Sequence, residues 1–255
     1  MRYVLPIVAV LVLTSCGGSS RTLATGGAPS LAYTCGALPA GLKASTYFLK
    51  TGDGVRIYAA ATGGGSRAVV LVHESGGAGL CGWLPTMQWL SANGLRAVAI
   101  DLRGYAPSGL PALAISHDYA QDIQAAVDAA HVLGAKNVFV MGASMGGAAT
   151  VAEAPKLNDL AGVISLSGEL ELPTSQLDAI GAAPKITVPF LFVGSEDDGY
   201  VLGSQARRLT RAVGSKDKQV HIFSGGYHGW DLLDVAPYRA SVKSLLLRWI
   251  TQRPR

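Results

Sequence analysis

From residue 68 onward the chain is organised as short apolar runs separated by turn-forming residues. The runs at 68–73, 95–101, 137–142, 160–166, 188–194 and 219–223 lack polar alternation, the pattern of strands buried on both faces. Between them, 84–92, 118–133, 144–154 and 200–213 carry helical spacing. A final segment, 237–251, is apolar at Val242, Leu245, Leu246 and Trp249, which a helix gathers into one stripe. Alternating strands and helices predict a mostly parallel sheet with helices on both faces, an α/β class. Ahead of this pattern, 46–50 and 55–62 flank Gly52-Asp53-Gly54 and predict an antiparallel hairpin. No internal repeat and no second zone of composition interrupts the pattern, so residues 41–255 are expected to form one domain.

The first forty residues read differently. Arg2 precedes a short apolar stretch at 4–13, followed by Leu13-Thr14-Ser15-Cys16. This resembles the cleavage site of bacterial lipoproteins. The resemblance implies a signal peptide over 1–15, acylation of Cys16, and a mature protein exported and anchored to the cell membrane outside the cytoplasm. An ordinary secretory signal with an incidental Cys16 is the alternative. Residues 16–40, rich in Gly, Ser, Thr and Ala at their start, are expected to be a flexible tether. Cys35 and Cys81 are the remaining cysteines. Outside the cytoplasm an even pair suggests a disulfide, against which stands a pair of small buried hydrophobes.

Composition narrows the classes. The chain is 49% apolar and only 15% charged, well below the roughly 25% charge of ordinary domains. Yet no run reaches the roughly 18 residues of a spanning helix, which excludes a polytopic membrane protein. The formal charge of +4 is not gathered into a stripe, so nucleic acid is not an expected partner. Neither histidines nor cysteines show metal-ligand spacing, and neither a metal nor a cofactor is expected.

The chemistry centres on Gly142-Ala143-Ser144-Met145-Gly146, a G-x-S-x-G between a strand-like 137–141 and a helix-like 147–153. A sharp strand–turn–helix holds a serine in strained backbone at a helix N-terminus, and small neighbours make that turn possible. With this context the chain resembles the α/β-hydrolase family over about residues 45–252. Four further segments match the family's order. His73-Glu74-Ser75 closes the first parallel strand, and Asp101-Leu-Arg-Gly-Tyr105 with Ser108 resembles the family's D-x-R-G-x-G-x-S turn. Gly194-Ser-Glu-Asp197 and Gly226-Tyr-His228 follow strands where the family places its acid and its histidine.

The resemblance implies Ser144 as nucleophile, His228 as base and Asp197 as the residue orienting it, with the Met145 and Ser75 amides as oxyanion hole. Glu196 and Asp198 are rivals for the acid, since Glu-Asp-Asp offers three carboxylates on one turn; the family spacing from Gly194 favours Asp197. His221, His117 and His131 are read as packing or surface residues, and His73 as a structural one. Glu74 departs from the glycine usual in the family and is similar to the dienelactone-hydrolase branch, although that branch uses cysteine. The departure leaves open whether Ser75 or Gly76 supplies the second amide. It also leaves Glu74 either at the site or in a salt bridge with Arg103. Glu74, Gly76, Trp83, Tyr105, Tyr227 and Trp230 are candidate pocket residues, the aromatics alternatively capping the core. The interval 167–187 is long enough for one helix and a loop but too short for a large cap, so a minimal lid and an open site suited to soluble or short-acyl esters are expected. The reading is a serine ester hydrolase acting on a small-molecule ester through an acyl-enzyme. Alternatives are an envelope acyltransferase or peptidase on the same residues, or a non-catalytic ligand-binding lipoprotein. Oligomeric state is open.

Overall fold

The computed structural model describes residues 27–110 and 117–253. Helix α1 (Leu31–Cys35) leads into strands β1 (Ala44–Lys50), β2 (Arg56–Thr62) and β3 (Arg67–Val72). Then follow α2 (Leu84–Ala92), β4 (Arg96–Ile100), α3 (Tyr119–Val132), β5 (Asn137–Ala143), α4 (Met145–Glu153) and β6 (Leu160–Leu166). A small excursion, β7 (Glu171–Leu172), β8 (Leu177–Asp178) and α5 (Ala179–Ala182), precedes β9 (Phe190–Ser195), α6 (Gly203–Ala212), β10 (Lys218–Phe223), α7 (Asp231–Asp234) and α8 (Arg239–Thr251).

The predicted hairpin forms with Lys50 opposite Arg56, and every predicted buried strand is present within a residue or two. The sheet has eight strands in the order β1-β2-β4-β3-β5-β6-β9-β10, antiparallel through β1-β2-β4 and parallel from β4 onward. Continuous burial is explained by two cores. Along β3, Val69 and Leu71 face a layer holding Trp83, Met87, Leu90 and Trp249, while Ala68, Val70 and Val72 face Ile123, Val127 and Ala148. Alternate residues thus enter opposite cores, and none can be polar.

The order of strands also fixes where chemistry can occur. From β3 the chain moves outward to β4, then crosses back to β5 on β3's other side. That reversal opens a crevice at the carboxyl ends of β3 and β5, the position where open α/β sheets place ligands.

Three regions depart from the sequence reading. The segment taken as a tether through residue 40 meets ordered structure by Leu31, which is 4% exposed and part of the core. Ser30 caps α1 by accepting from the Tyr33 amide at 3.2 Å. Cys35 and Cys81 form a disulfide joining positions 46 apart, so the bridge holds and the alternative of two free thiols does not. The interval 167–187 folds as β7, β8 and α5 against α4 rather than as one helix and a loop, with Ala179 buried and Asp178 capping Gly181. In α8 the buried face is Val242, Leu246, Trp249 and Ile250, with Leu245 at its margin. Residues 1–15 and Cys16 lie outside the described residues, among which no helix is long and apolar enough to cross a membrane.

Candidate active site

Ser144 stands between the end of β5 and the start of α4 with φ 50° and ψ −121°, a conformation costly for any residue with a side chain. Its neighbours explain how the turn closes. A Cβ on Gly142 would lie 2.0 Å from the Gly146 carbonyl, and one on Gly146 would lie 2.2 Å from the Val72 carbonyl. Only glycine at both positions lets α4 sit directly behind the ends of β3 and β5. Met145 is the first residue of α4, so its amide has no acceptor within the helix.

His228 lies in the loop after β10. Its Nδ1 is 2.9 Å from both Oδ1 and Oδ2 of Asp198, which is fully buried. The Asp198 Oδ1 also accepts from the amides of Tyr200 at 2.9 Å and Val201 at 3.3 Å. This corrects the expectation for Asp197, whose carboxyl is exposed. The reason lies in the ladder. Glu196 donates to the Phe223 carbonyl and Asp197 to that of Gly225, so extended pairing continues past β9 and the chain turns inward one residue later than the spacing implies. Glu196 is exposed and bound to Arg207. The turn made by Asp198 also delays α6, which begins at Gly203 rather than at 200.

Electrostatics favour a basic imidazole. Burial pulls the His228 pKa down, but the hydrogen bond it donates to Asp198 and the charges of Asp198, Glu74 and Glu169 outweigh it and leave it raised. Burial pushes Asp198 up, whereas the His228 bond and the Tyr200 amide hold it below the usual carboxylate range. Tyr200 covers the imidazole with its ring centroid 4.5 Å away. The loop itself is anchored through Ser195, whose Oγ donates to the Tyr227 carbonyl at 2.7 Å and lies 2.8 Å from the Tyr238 hydroxyl.

The second wall is the loop after β3. His73 is fully buried; its Nδ1 faces the Glu74 carbonyl and its Nε2 accepts from the Leu102 amide at 3.1 Å. Nδ1 therefore carries the proton, and burial lowers the pKa to about 4. Ser75 to Ala78 are exposed. The Tyr105 hydroxyl lies 3.6 Å from Met145 Sδ. Gly76 and Tyr105 line a cavity of about 330 Å³ with Thr34, Gly79 and Asp101.

Other expectations fare unevenly. Trp83 is fully buried, so it supports the core rather than a pocket. Trp230 stacks edge-on against it at 5.8 Å, and Tyr227 packs on Tyr238. Glu74 does not pair with Arg103; its Oε1 accepts from the Trp230 amide at 2.7 Å. Arg103 instead lies buried between Asp122 and Asp53, at 2.8 and 2.7 Å. Sequence reasoning missed Glu169, beyond β6, whose carboxyl interacts with the Ser144 hydroxyl and feels the charges of His228 and Asp198; burial raises its pKa. No local pattern marks it. Among the described residues no group of His, Cys, Asp and Glu is arranged to hold a metal.

Comparison with known proteins agrees with this architecture. An esterase of Pyrococcus furiosus superposes with a TM-score of 0.70 at 14% identity, over 83% of this chain and 93% of that one. A soluble variant of the monoglyceride lipase of Saccharomyces cerevisiae gives 0.67 at 15% identity, over 86% and 99%. An esterase of Exiguobacterium antarcticum gives 0.64 at 18%, over 80% and 98%. No curated protein matches the sequence. At such identities the superpositions establish the fold alone, but the sequence model of the Alpha/beta hydrolase family matches residues 69–252 directly. That span runs from β3 through α8 and takes in Ser144, Asp198 and His228, and on it the chain belongs to the alpha/beta hydrolase family.

Proposed function

We propose that the protein is a serine hydrolase of carboxylic esters, with Ser144 as nucleophile, His228 as general base and Asp198 as the orienting acid. The observation that carries this reading is the buried Asp198 at 2.9 Å from His228 Nδ1, in a chain whose β5–α4 turn holds a serine at φ 50°. With Nδ1–H given to Asp198, Nε2 is the ring nitrogen left to take the serine proton. Ser144 Oγ adds to the ester carbonyl while that proton moves to Nε2. The tetrahedral oxyanion is met by the Met145 amide and by the Ser75 amide, a contribution of about 3 kcal/mol per donor. Collapse expels the alcohol, which takes the proton from His228 and leaves an acyl-Ser144. Water, deprotonated by His228, then releases the acid and restores the serine.

The substrate side of the proposal is a soluble or short-acyl ester, supported by the fold of 167–187 against α4. That part fails if a series of esters peaks at long acyl chains. Export and lipid anchoring through Cys16 are part of the same reading, supported by a disulfide at Cys35–Cys81, a bond suited to an oxidising compartment. The catalytic reading is tested with a fluorophosphonate probe. Wild-type protein is expected to be labelled and Ser144→Ala is not; an unlabelled wild type would favour a binding protein.

A further inference from the structure

We infer that Glu74 is a positioning residue that sets the base loop through the backbone, so that His228 is held from two sides. The inference rests on the reading of His228 as base. Asp198 fixes the ring at Nδ1; Glu74 fixes the main chain two residues later, its Oε1 accepting from the Trp230 amide at 2.7 Å.

Everything around this contact is built tight. Gly229 has φ +52°, and a Cβ there would lie 1.7 Å from Glu74 Oε1, so the carboxylate is seated where any other residue would put a side chain. A Cβ on Gly82 would lie 2.3 Å from the Trp230 ring, which also meets Trp83 edge-on. At the other end, Glu74's own carbonyl is held by the buried His73. Glu74 therefore runs from a fixed point on the β3 loop to the backbone of the His228 loop, and its neighbour Ser75 is the residue proposed to supply an oxyanion amide. One side chain links the register of the base to that of the oxyanion hole, which no contact of Asp198 does.

The carboxylate has an electrostatic role as well as a geometric one. His228 faces Asp198 from the β9 loop, Glu74 from the β3 loop and Glu169 from the β6 loop. Glu74 in turn faces His228, Asp231 and Glu169. Substitution separates the two roles. Glu74→Gln keeps an acceptor oxygen at the same reach and removes the charge. Glu74→Asp keeps the charge and, one methylene shorter, loses the Trp230 amide. Glu74→Ala loses both.

The test combines rates of fluorophosphonate labelling and p-nitrophenyl acetate hydrolysis against pH with the downfield proton resonance of His228 Nδ1–H. Glu74→Gln is expected to keep plateau kcat within threefold of wild type, with its acid limb moved to lower pH. Glu74→Asp and Glu74→Ala are expected to lose 10- to 100-fold in kcat with KM changed less than threefold, and to broaden or lose the Nδ1–H resonance that Glu74→Gln retains. A Glu74→Asp variant as fast as wild type, or a Glu74→Gln variant as slow as Glu74→Ala, overturns the inference. If wild-type protein neither labels nor hydrolyses, the ester-hydrolase reading falls by itself. The resonance then still decides: its survival in Glu74→Asp and Glu74→Ala overturns positioning, and its loss in those two alone supports it.

Discussion

Replacing Asp198 by Asn tests the acid assignment with almost no change of shape. Both carboxylate oxygens lie 2.9 Å from His228 Nδ1, and Oδ1 also accepts from the Tyr200 amide at 2.9 Å. An asparagine keeps its carbonyl at the Oδ1 position, because the backbone amides there need an acceptor. Its NH2 group then takes the Oδ2 position and confronts the imidazole with a donor. Nδ1 must become the acceptor, the ring proton moves to Nε2, and the nitrogen that should receive the serine proton is already occupied. In serine proteases the same change costs about 10⁴-fold in kcat, which corresponds to about 5 kcal/mol at 1.36 kcal/mol per decade. A loss of about 10³- to 10⁴-fold is expected here in fluorophosphonate labelling and in kcat on p-nitrophenyl acetate. The acid limb should also move down, since Asp198 raises the His228 pKa. Asp197→Asn, on an exposed carboxyl, should change either rate less than threefold. A Asp198→Asn variant within tenfold of wild type, or an Asp197→Asn variant that loses activity, would refute the assignment.

Three further outcomes follow from the same geometry. His73, buried and neutral with a pKa of about 4, takes a proton only on unfolding. Its contribution is present above the ordinary value near 6.5 and lost as pH falls toward 4, a total of at most about 3 kcal/mol; urea unfolding of wild type and His73→Asn across that range should show the variant with the shallower acid decline. Reducing or removing the Cys35–Cys81 bridge, which spans 46 positions, should lower stability by about 4 kcal/mol on loop entropy. Urea titration of the Cys35→Ser/Cys81→Ser protein measures it, and a loss under 1 kcal/mol would contradict the estimate. Arg103→Met strands the fully buried Asp122 and should cost about 3–5 kcal/mol, whereas adding Asp122→Leu should recover part of it in the same assay.

The layout of the domain was legible because parallel strands buried on both faces leave continuous apolar runs, and because Gly142 and Gly146 mark a turn that other residues cannot close. His228 and Ser144 were legible for the same reason, each following a strand in the expected order. Asp198 was not, since its choice over Asp197 depends on how far β9 and β10 stay paired, and pairing length is a property of two strands distant in sequence. Glu74's partner stayed open because Trp230 is 156 positions away and offers a backbone amide, which no residue pattern records. Glu169 carries no signal, as a lone carboxyl after a strand is ordinary on any surface loop. Trp83 stood beside a motif loop but faces inward, a difference of side-chain direction rather than of position.

The brace at Ser195, Tyr227 and Tyr238 has a consequence for how the molecule matures. Tyr238 caps α8, and its ring stacks on Phe223 of β10 at 4.6 Å. A segment that follows the site in sequence therefore carries the hydroxyl that steadies the His228 loop. A polypeptide stopped ahead of Tyr238 still holds Ser144, Asp198 and His228, yet its His228 loop has lost that buttress. The order of the His228 loop is thus tied to the presence of α8, and a chain ended before it would carry the full set of side chains without the means to hold them in register.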